Sequence, residues 1–168
     1  MGYVLLLGGA RSGKSDRALR LAQESGRAVT FIATATPMDA EMTDRILRHR
    51  ATRPREWMTL EEPVDLKGVI DAVAPDHFLV VDCLTLWVSN LLGTGRSVAD
   101  ILAMADRAAS SLADRQGVVV TNEVGLGIVP ANELARKFRD ALGAVNITFA
   151  RGASRSLFMV AGRALELS

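Results

Sequence analysis

Apolar positions along the chain follow two rhythms that alternate from end to end. "YVLLLGG" (3–9) is a nearly continuous apolar run closed by glycines, the pattern of a strand buried on both faces. "KSDRALRLAQESG" follows with Ala18, Leu19 and Ala22 at helical spacing, and Gly26 stops that helix. The β-branched "AVTFIATA" (28–35) predicts a second strand, and Asp39 to Ala51 a helix that ends before Pro54. A short strand is expected over 57–63, an amphipathic helix over 64–74 and a buried strand over 77–84. Helix then runs through "TLWVSNLL", broken by Gly93 and Gly95. A longer helix capped by Ser97 or Asp100 reaches about Arg115. Strand "GVVVTNEV" (117–124), loop "GLGIVP" (125–130) and a mostly helical 131–153 come next. The segment 156–167 closes the sheet as a strand or hairpin. Strands alternating with helices imply an α/β sandwich around a mainly parallel sheet.

The bulk numbers narrow the class. A chain of 168 residues predicts one domain, 1–168, without repeat, low-complexity tract or linker. Net charge is +1, so no global basic field favours nucleic acid or a membrane surface. Cys83 is the only cysteine, which rules out an intrachain disulfide and fits a reducing compartment. The apolar runs are too short for a membrane span or signal peptide, so a cytoplasmic protein is expected. The 20 basic residues are 17 Arg and three Lys; Arg is the better bidentate ligand for phosphate, and genomic base composition produces the same skew.

"GGARSGKS", Gly8 to Ser15, fits G-x-x-x-x-G-K-[ST] between an apolar strand and a helix. Gly8 and Gly13 allow the backbone to curl with its N–H groups inward, and the helix that follows adds the positive end of its dipole. Lys14 can then reach the outer phosphates of a nucleoside triphosphate, and Ser15 can offer its hydroxyl to Mg²⁺. An acid on a neighbouring strand usually completes the metal site. Asp82, ending "FLVVD", is the first candidate and Glu123 the second. A regulatory GTPase normally reads guanine with N-K-x-D, which is absent here. A small kinase would explain the loop.

A kinase leaves one stretch unused. In "RILRHRATRPREW" (45–57) His49 stands among Arg45, Arg48, Arg50, Arg53 and Arg55. Met42, Ile46 and His49 share one helical stripe, so the ring faces inward with the arginines beside it. Packing at the edge of a core is the plain reading. The other is chemical. Cationic neighbours disfavour a further charge, and a neutral imidazole keeps the lone pair that a nucleophile needs. The same arginines could grip a polyphosphate and stabilise charge developing at phosphorus. Attack on a phosphoryl or nucleotidyl group would be a second reaction, beside transfer to a hydroxyl.

Taken in order, "GGARSGKS", "FIATA", "EMTDRILRHRATRPREW", "VVDCLTLWVSNLL", "TNEVGLGIVPANELARKFRD" and "GAVN" resemble the bifunctional adenosylcobinamide kinase / adenosylcobinamide-phosphate guanylyltransferase family over almost the whole chain. The resemblance implies a RecA-like P-loop NTPase sheet and two reactions. ATP or GTP phosphorylates a hydroxyl of adenosylcobinamide; GTP then guanylylates a histidine, and the GMP passes to adenosylcobinamide phosphate. By motif position His49 would be the guanylylated residue and Lys14 its catalytic companion in the phosphate loop. Gly8, Gly9, Ala10, Arg11, Ser12, Gly13, Lys14 and Ser15 would bind nucleotide, as would Ala33, Thr34 and Ala35. Arg50, Ala51, Thr52 and Arg53 would join them, with the acids Glu61 and Asp82; Ser15 and Asp82 would hold Mg²⁺. A homo-oligomer, possibly a trimer, is implied as well. The C-terminal end departs from the family pattern at Ile147, in "ASRSLF" and at Arg163–Ala164, away from the nucleotide site. A single-activity kinase in which His49 only packs, and a non-catalytic nucleotide-binding partner, are the competing expectations.

Overall fold

A computed structural model describes residues 2–37 and 39–168. One seven-stranded sheet runs through it in the order β3-β2-β4-β5-β1-β6-β7. The strands are β1 (Tyr3–Gly8), β2 (Val29–Ala33), β3 (Met58–Glu61), β4 (Phe78–Asp82), β5 (Gly117–Val120), β6 (Arg155–Val160) and β7 (Arg163–Leu167). All neighbours pair in parallel except β6 and β7.

The continuous apolar runs follow from burial on both faces. Leu5, Ile32, Leu79, Val81 and Val119 point to one face. There they pack on α3 (Leu66–Ala72), α4 (Leu84–Gly93), α5 (Val98–Leu112) and α6 (Glu133–Gly152). Leu6, Phe31, Val80, Val118 and Leu157 point to the other face, against Ala18 and Ala22 of α1 (Lys14–Glu24). Alternate residues of these strands thus serve different layers, and the central strands lack the polar alternation of a solvated sheet.

Helix ends match local chemistry. Ser97 caps α5 in a reciprocal box with Asp100, and Asn132 caps α6 by accepting from the Ala135 amide at 3.1 Å. α2 (Ala40–Ala51) starts on Asp39, which accepts from the Met42 amide at 2.7 Å. The C-terminal segment is a hairpin whose first strand pairs in parallel with β1. Ala161 and Gly162 turn it with φ of 51° and 75°, the left-handed pair that a two-residue hairpin needs. β5 is shorter than its sequence pattern suggests and leaves "TNEV" beyond the sheet edge.

Candidate active site

The C-terminal ends of β2, β4 and β5 and the loop that follows β1 open into one cleft of about 650 Å³. Ligands of open parallel sheets bind at this end. The phosphate loop between β1 and α1 forms one wall. Gly13 begins α1 with φ 93° and no side chain caps the helix, so the first-turn amides remain available to an anion. Gly8 has φ 153°, and a Cβ there would overlap the Met159 carbonyl oxygen and come within 2.9 Å of Ser12 Oγ. Lys14 is buried inside the loop. Its ammonium donates to the carbonyls of Gly8 (2.9 Å) and Gly9 (2.6 Å) and to Ser12 Oγ (3.3 Å).

The opposite wall is α2. Met42, Ile46 and His49, the stripe expected from the sequence, line the cleft and are half-buried. Their inward face looks into the cleft and not into the core. His49 also lines a smaller cavity of about 220 Å³, between α1, α2 and Phe31. The ring therefore stands at the partition of two spaces, and Ser15, Arg53 and Asp82 line both as well. The side chain of Arg45, expected beside the ring, lies outside the described part of the structure.

Arg53 lies 3.6 Å over the Phe31 ring, a cation–π contact that fixes its guanidinium. Burial lowers this guanidinium from its ordinary value. Asp82 opposes that shift, Arg50 adds to it and Glu61 opposes it again. Arg50 faces Glu61 at 3.8 Å in an exposed pair. Cations and carboxylates thus alternate along the rim, and an arriving polyphosphate would replace these carboxylates as partner of the arginines.

Of the residues implicated by sequence, Ala10 to Ser15, Ala33, Ala35, His49, Arg50, Arg53, Glu61 and Asp82 meet at the cleft. Thr52 reaches only the smaller cavity. Gly8 and Gly9 contribute carbonyls to Lys14 and do not line the cleft wall. Thr34 is fully buried; its hydroxyl donates to the Cys83 carbonyl (2.7 Å) and accepts from the Cys83 amide (2.8 Å). That clamp joins the ends of β2 and β4, where Ala33 and Asp82 are paired side by side. Ala51 is exposed and lines neither space. Sequence reasoning missed Asn122, Cys83, Leu86 and Val120 as cleft residues. "TNEV" directly after a buried strand is the available signal for Asn122.

Ser15 and Asp82, the pair expected from the sequence to hold Mg²⁺, both line the cleft. Among the described residues no group of three or more His, Cys, Asp or Glu could hold a metal. That sparse donor set suits an ion that keeps several waters and takes its remaining oxygens from phosphate.

Solved structures share the fold. The flagellar accessory protein FlaH of Methanocaldococcus jannaschii superposes with TM-score 0.53 at 14% identity, over 99% of this chain and 78% of that one. The RadB recombinase gives 0.50 at 16% identity, over 94% and 73%. Both are consistent with a RecA-like P-loop architecture. Sequence relatives are nearer. The bifunctional adenosylcobalamin biosynthesis protein CobP of Pseudomonas aeruginosa is 45% identical, over 97% of this chain and 95% of its own. The protein CobU of Salmonella typhimurium, described in the same words, is 37% identical over 98% of each. Residues 4–167 match the family described as cobinamide kinase / cobinamide phosphate guanyltransferase, and the chain belongs to that family.

Proposed function

We propose that this chain makes adenosylcobinamide-GDP in two steps within one cleft, acting as a single nucleotide-binding domain. In the first, the hydroxyl oxygen of adenosylcobinamide attacks the γ-phosphorus of ATP or GTP held on the loop Gly8–Ser15. The bond to the β-phosphate oxygen breaks, the diphosphate leaves with the electron pair, and the hydroxyl proton passes to water. In the second, the lone pair of an imidazole nitrogen of His49 attacks the α-phosphorus of GTP and pyrophosphate leaves. A phosphate oxygen of adenosylcobinamide phosphate then displaces the imidazole, and the P–N electron pair returns to the ring.

The observation that carries this reading is that His49 and the phosphate loop line the same cleft. A histidine packed in the core would leave the second reaction without a nucleophile. Lys14, Arg50 and Arg53 supply positive charge where negative charge builds at phosphorus. Mg²⁺ bound at Ser15 and Asp82 would neutralise phosphate oxygens, while the protein groups orient them.

Assembly belongs to the proposal. Leu126 (81% exposed), Ile128 (98%) and Leu134 (65%) crowd one loop and the start of α6, an apolar surface of the kind that copies of a chain cover. A homo-oligomer, with the trimer as expectation, would cover it, and Ile128→Asp should lower the mass seen by light scattering. Among the described residues no helix is long and apolar enough to cross a membrane, and a cytoplasmic site of action is proposed, with no nucleic acid as partner.

Incubation with α-labelled GTP and Mg²⁺ tests the second step. Wild type should retain acid-labile label, and His49→Ala should retain none while still phosphorylating adenosylcobinamide. No label on the wild type, with phosphorylation intact, would leave a kinase alone.

A further inference from the structure

Just beyond β5 the main chain of Thr121, Asn122 and Glu123 is held from several sides. The Thr121 amide donates to the Leu6 carbonyl (2.9 Å) and the Glu123 amide to the Gly8 carbonyl (3.2 Å). The Asn122 amide donates to Thr85 Oγ1 at 2.9 Å, and the Asn122 carbonyl accepts from Asn146 Nδ2 at 3.1 Å. Asn146 is buried in α6, and its Oδ1 accepts from Thr121 Oγ1 at 2.7 Å. Both ends of a buried carboxamide are thus spent on aligning three residues. Such a network fixes geometry more tightly than its separate bonds would.

The side chain of Asn122 is left over from this arrangement. It lines the cleft, and among the described residues its carboxamide makes no hydrogen bond. β5 lies between β1 and β4 in the sheet. Asn122 therefore emerges between the phosphate loop, which follows β1, and Asp82, which ends β4. Loop amides and the α1 dipole grip the inner phosphates of a nucleotide. The outermost phosphate extends beyond the loop, toward the strand ends.

We propose that the Asn122 carboxamide contacts the terminal phosphate of a bound nucleoside triphosphate, donating through Nδ2 to a γ-oxygen. This rests on the cleft being the triphosphate site of the proposed kinase step. A neutral donor suits the position, because a carboxylate there would repel the phosphate and a second lysine would duplicate Lys14. Asn122 is then the group by which the cleft tells triphosphate from diphosphate, and it aligns the γ-phosphorus for attack by the acceptor hydroxyl. In that attack the phosphorus gains the acceptor oxygen and loses the β-phosphate oxygen, while the hydroxyl proton goes to water in the open cleft.

The test is binding of the β,γ-imido analogue of GTP and of GDP, each with Mg²⁺, to wild type, Asn122→Ala and Asn122→Asp. Loss of a hydrogen bond to a charged group should weaken the triphosphate analogue about tenfold in Asn122→Ala. GDP affinity should change by less than about twofold on the same scale. Asn122→Asp should lose at least as much, through charge repulsion. Asn122→Ser repeats the measurement if the alanine variant folds poorly, with the same expectation. Equal losses for both nucleotides, or none for either, would overturn the contact. Should wild type discriminate between the nucleotides yet phosphorylate no cobinamide, while Asn122→Ala loses that discrimination, the kinase reading falls and the contact stands. Should wild type perform both reactions and Asn122→Ala keep the wild-type affinity ratio, the contact falls and the kinase reading stands.

Discussion

The amide of Gly162 donates to the carbonyl of Ser12 at 3.0 Å, so the turn of the C-terminal hairpin rests on the phosphate loop. A Cβ on Gly13, the next residue, would sit 3.0 Å from Gly162 Cα. Gly13→Ala therefore meets two obstacles. Its φ of 93° is disfavoured for an L-residue by about 1 kcal/mol, and the hairpin turn must yield by a few tenths of an ångström. Gly26→Ala is the control: φ is 65° with nothing within 4 Å of the new Cβ. Both variants should lose stability in urea unfolding. Only Gly13→Ala should also bind triphosphate more weakly, by about tenfold or more, which corresponds to about 1.4 kcal/mol. Equal affinity in the two variants would separate the hairpin contact from the shape of the loop.

α2 carries His49, yet among its described side chains none is fully buried. Its position depends strongly on its N-cap, where Asp39 accepts from the Met42 amide at 2.7 Å. Asp39→Ala should cost about 1 kcal/mol. Amide exchange across 42–51 should then rise about fivefold, while the amides of β1 keep their protection. On the proposed mechanism, guanylylation of His49 should slow in the same variant, because the ring spends more time out of register. Unchanged exchange in α2 would mean that packing, not the cap, holds the helix.

Arg115 joins two elements far from the cleft. Its guanidinium donates to the carbonyls of Ile70 (3.1 Å), Val73 (3.1 Å) and Ala74 (2.7 Å), at the C-terminal end of α3. Arg115→Ala leaves these acceptors without their donor and should destabilise the fold by about 2 kcal/mol. Arg115→Lys should recover only part of that, since one ammonium lacks the planar fork. Nucleotide affinity should stay at the wild-type value in both. A loss of affinity would show that α3 communicates with the cleft.

Short-range chemistry is legible in the sequence. Unbroken apolar runs at Leu5, Val80 and Val119 announce strands buried on both faces. The spacing Met42–Ile46–His49 orients α2, and the glycine loop locates the phosphate site. What stays hidden depends on partners distant in sequence. Thr34 sits in "FIATA" beside residues that line the cleft, yet its hydroxyl is spent on Cys83, 49 positions away. Strand order alone brings Asn122 between the loop and Asp82, and no periodicity reveals that order. The C-terminal departures at Arg163 and Ala164 raise the prospect of an altered last strand. The turn chemistry of Ala161 and Gly162 keeps the hairpin regardless, because backbone twist there matters more than the residues that follow.

Cys83 lines the cleft as a free thiol next to Asp82. Burial, and then the negative charge of Asp82, push it up to about 11 from an ordinary value of 9.0. At pH 8 its thiolate fraction is therefore about a hundredfold below that of an unhindered thiol, and alkylation by iodoacetamide should be slower by the same order. The sign for stability follows. The folded state holds the proton more tightly than the unfolded chain, so this contribution is complete below the unfolded value near 9.0 and declines as pH rises toward about 11. Cys83→Ser should remove that alkaline decline. Bound nucleotide should slow alkylation further, since the cleft that admits the reagent is the one it fills. Rapid alkylation at pH 8 in the folded protein would mean that the sulfur is solvated, and the alkaline loss of stability would then be absent.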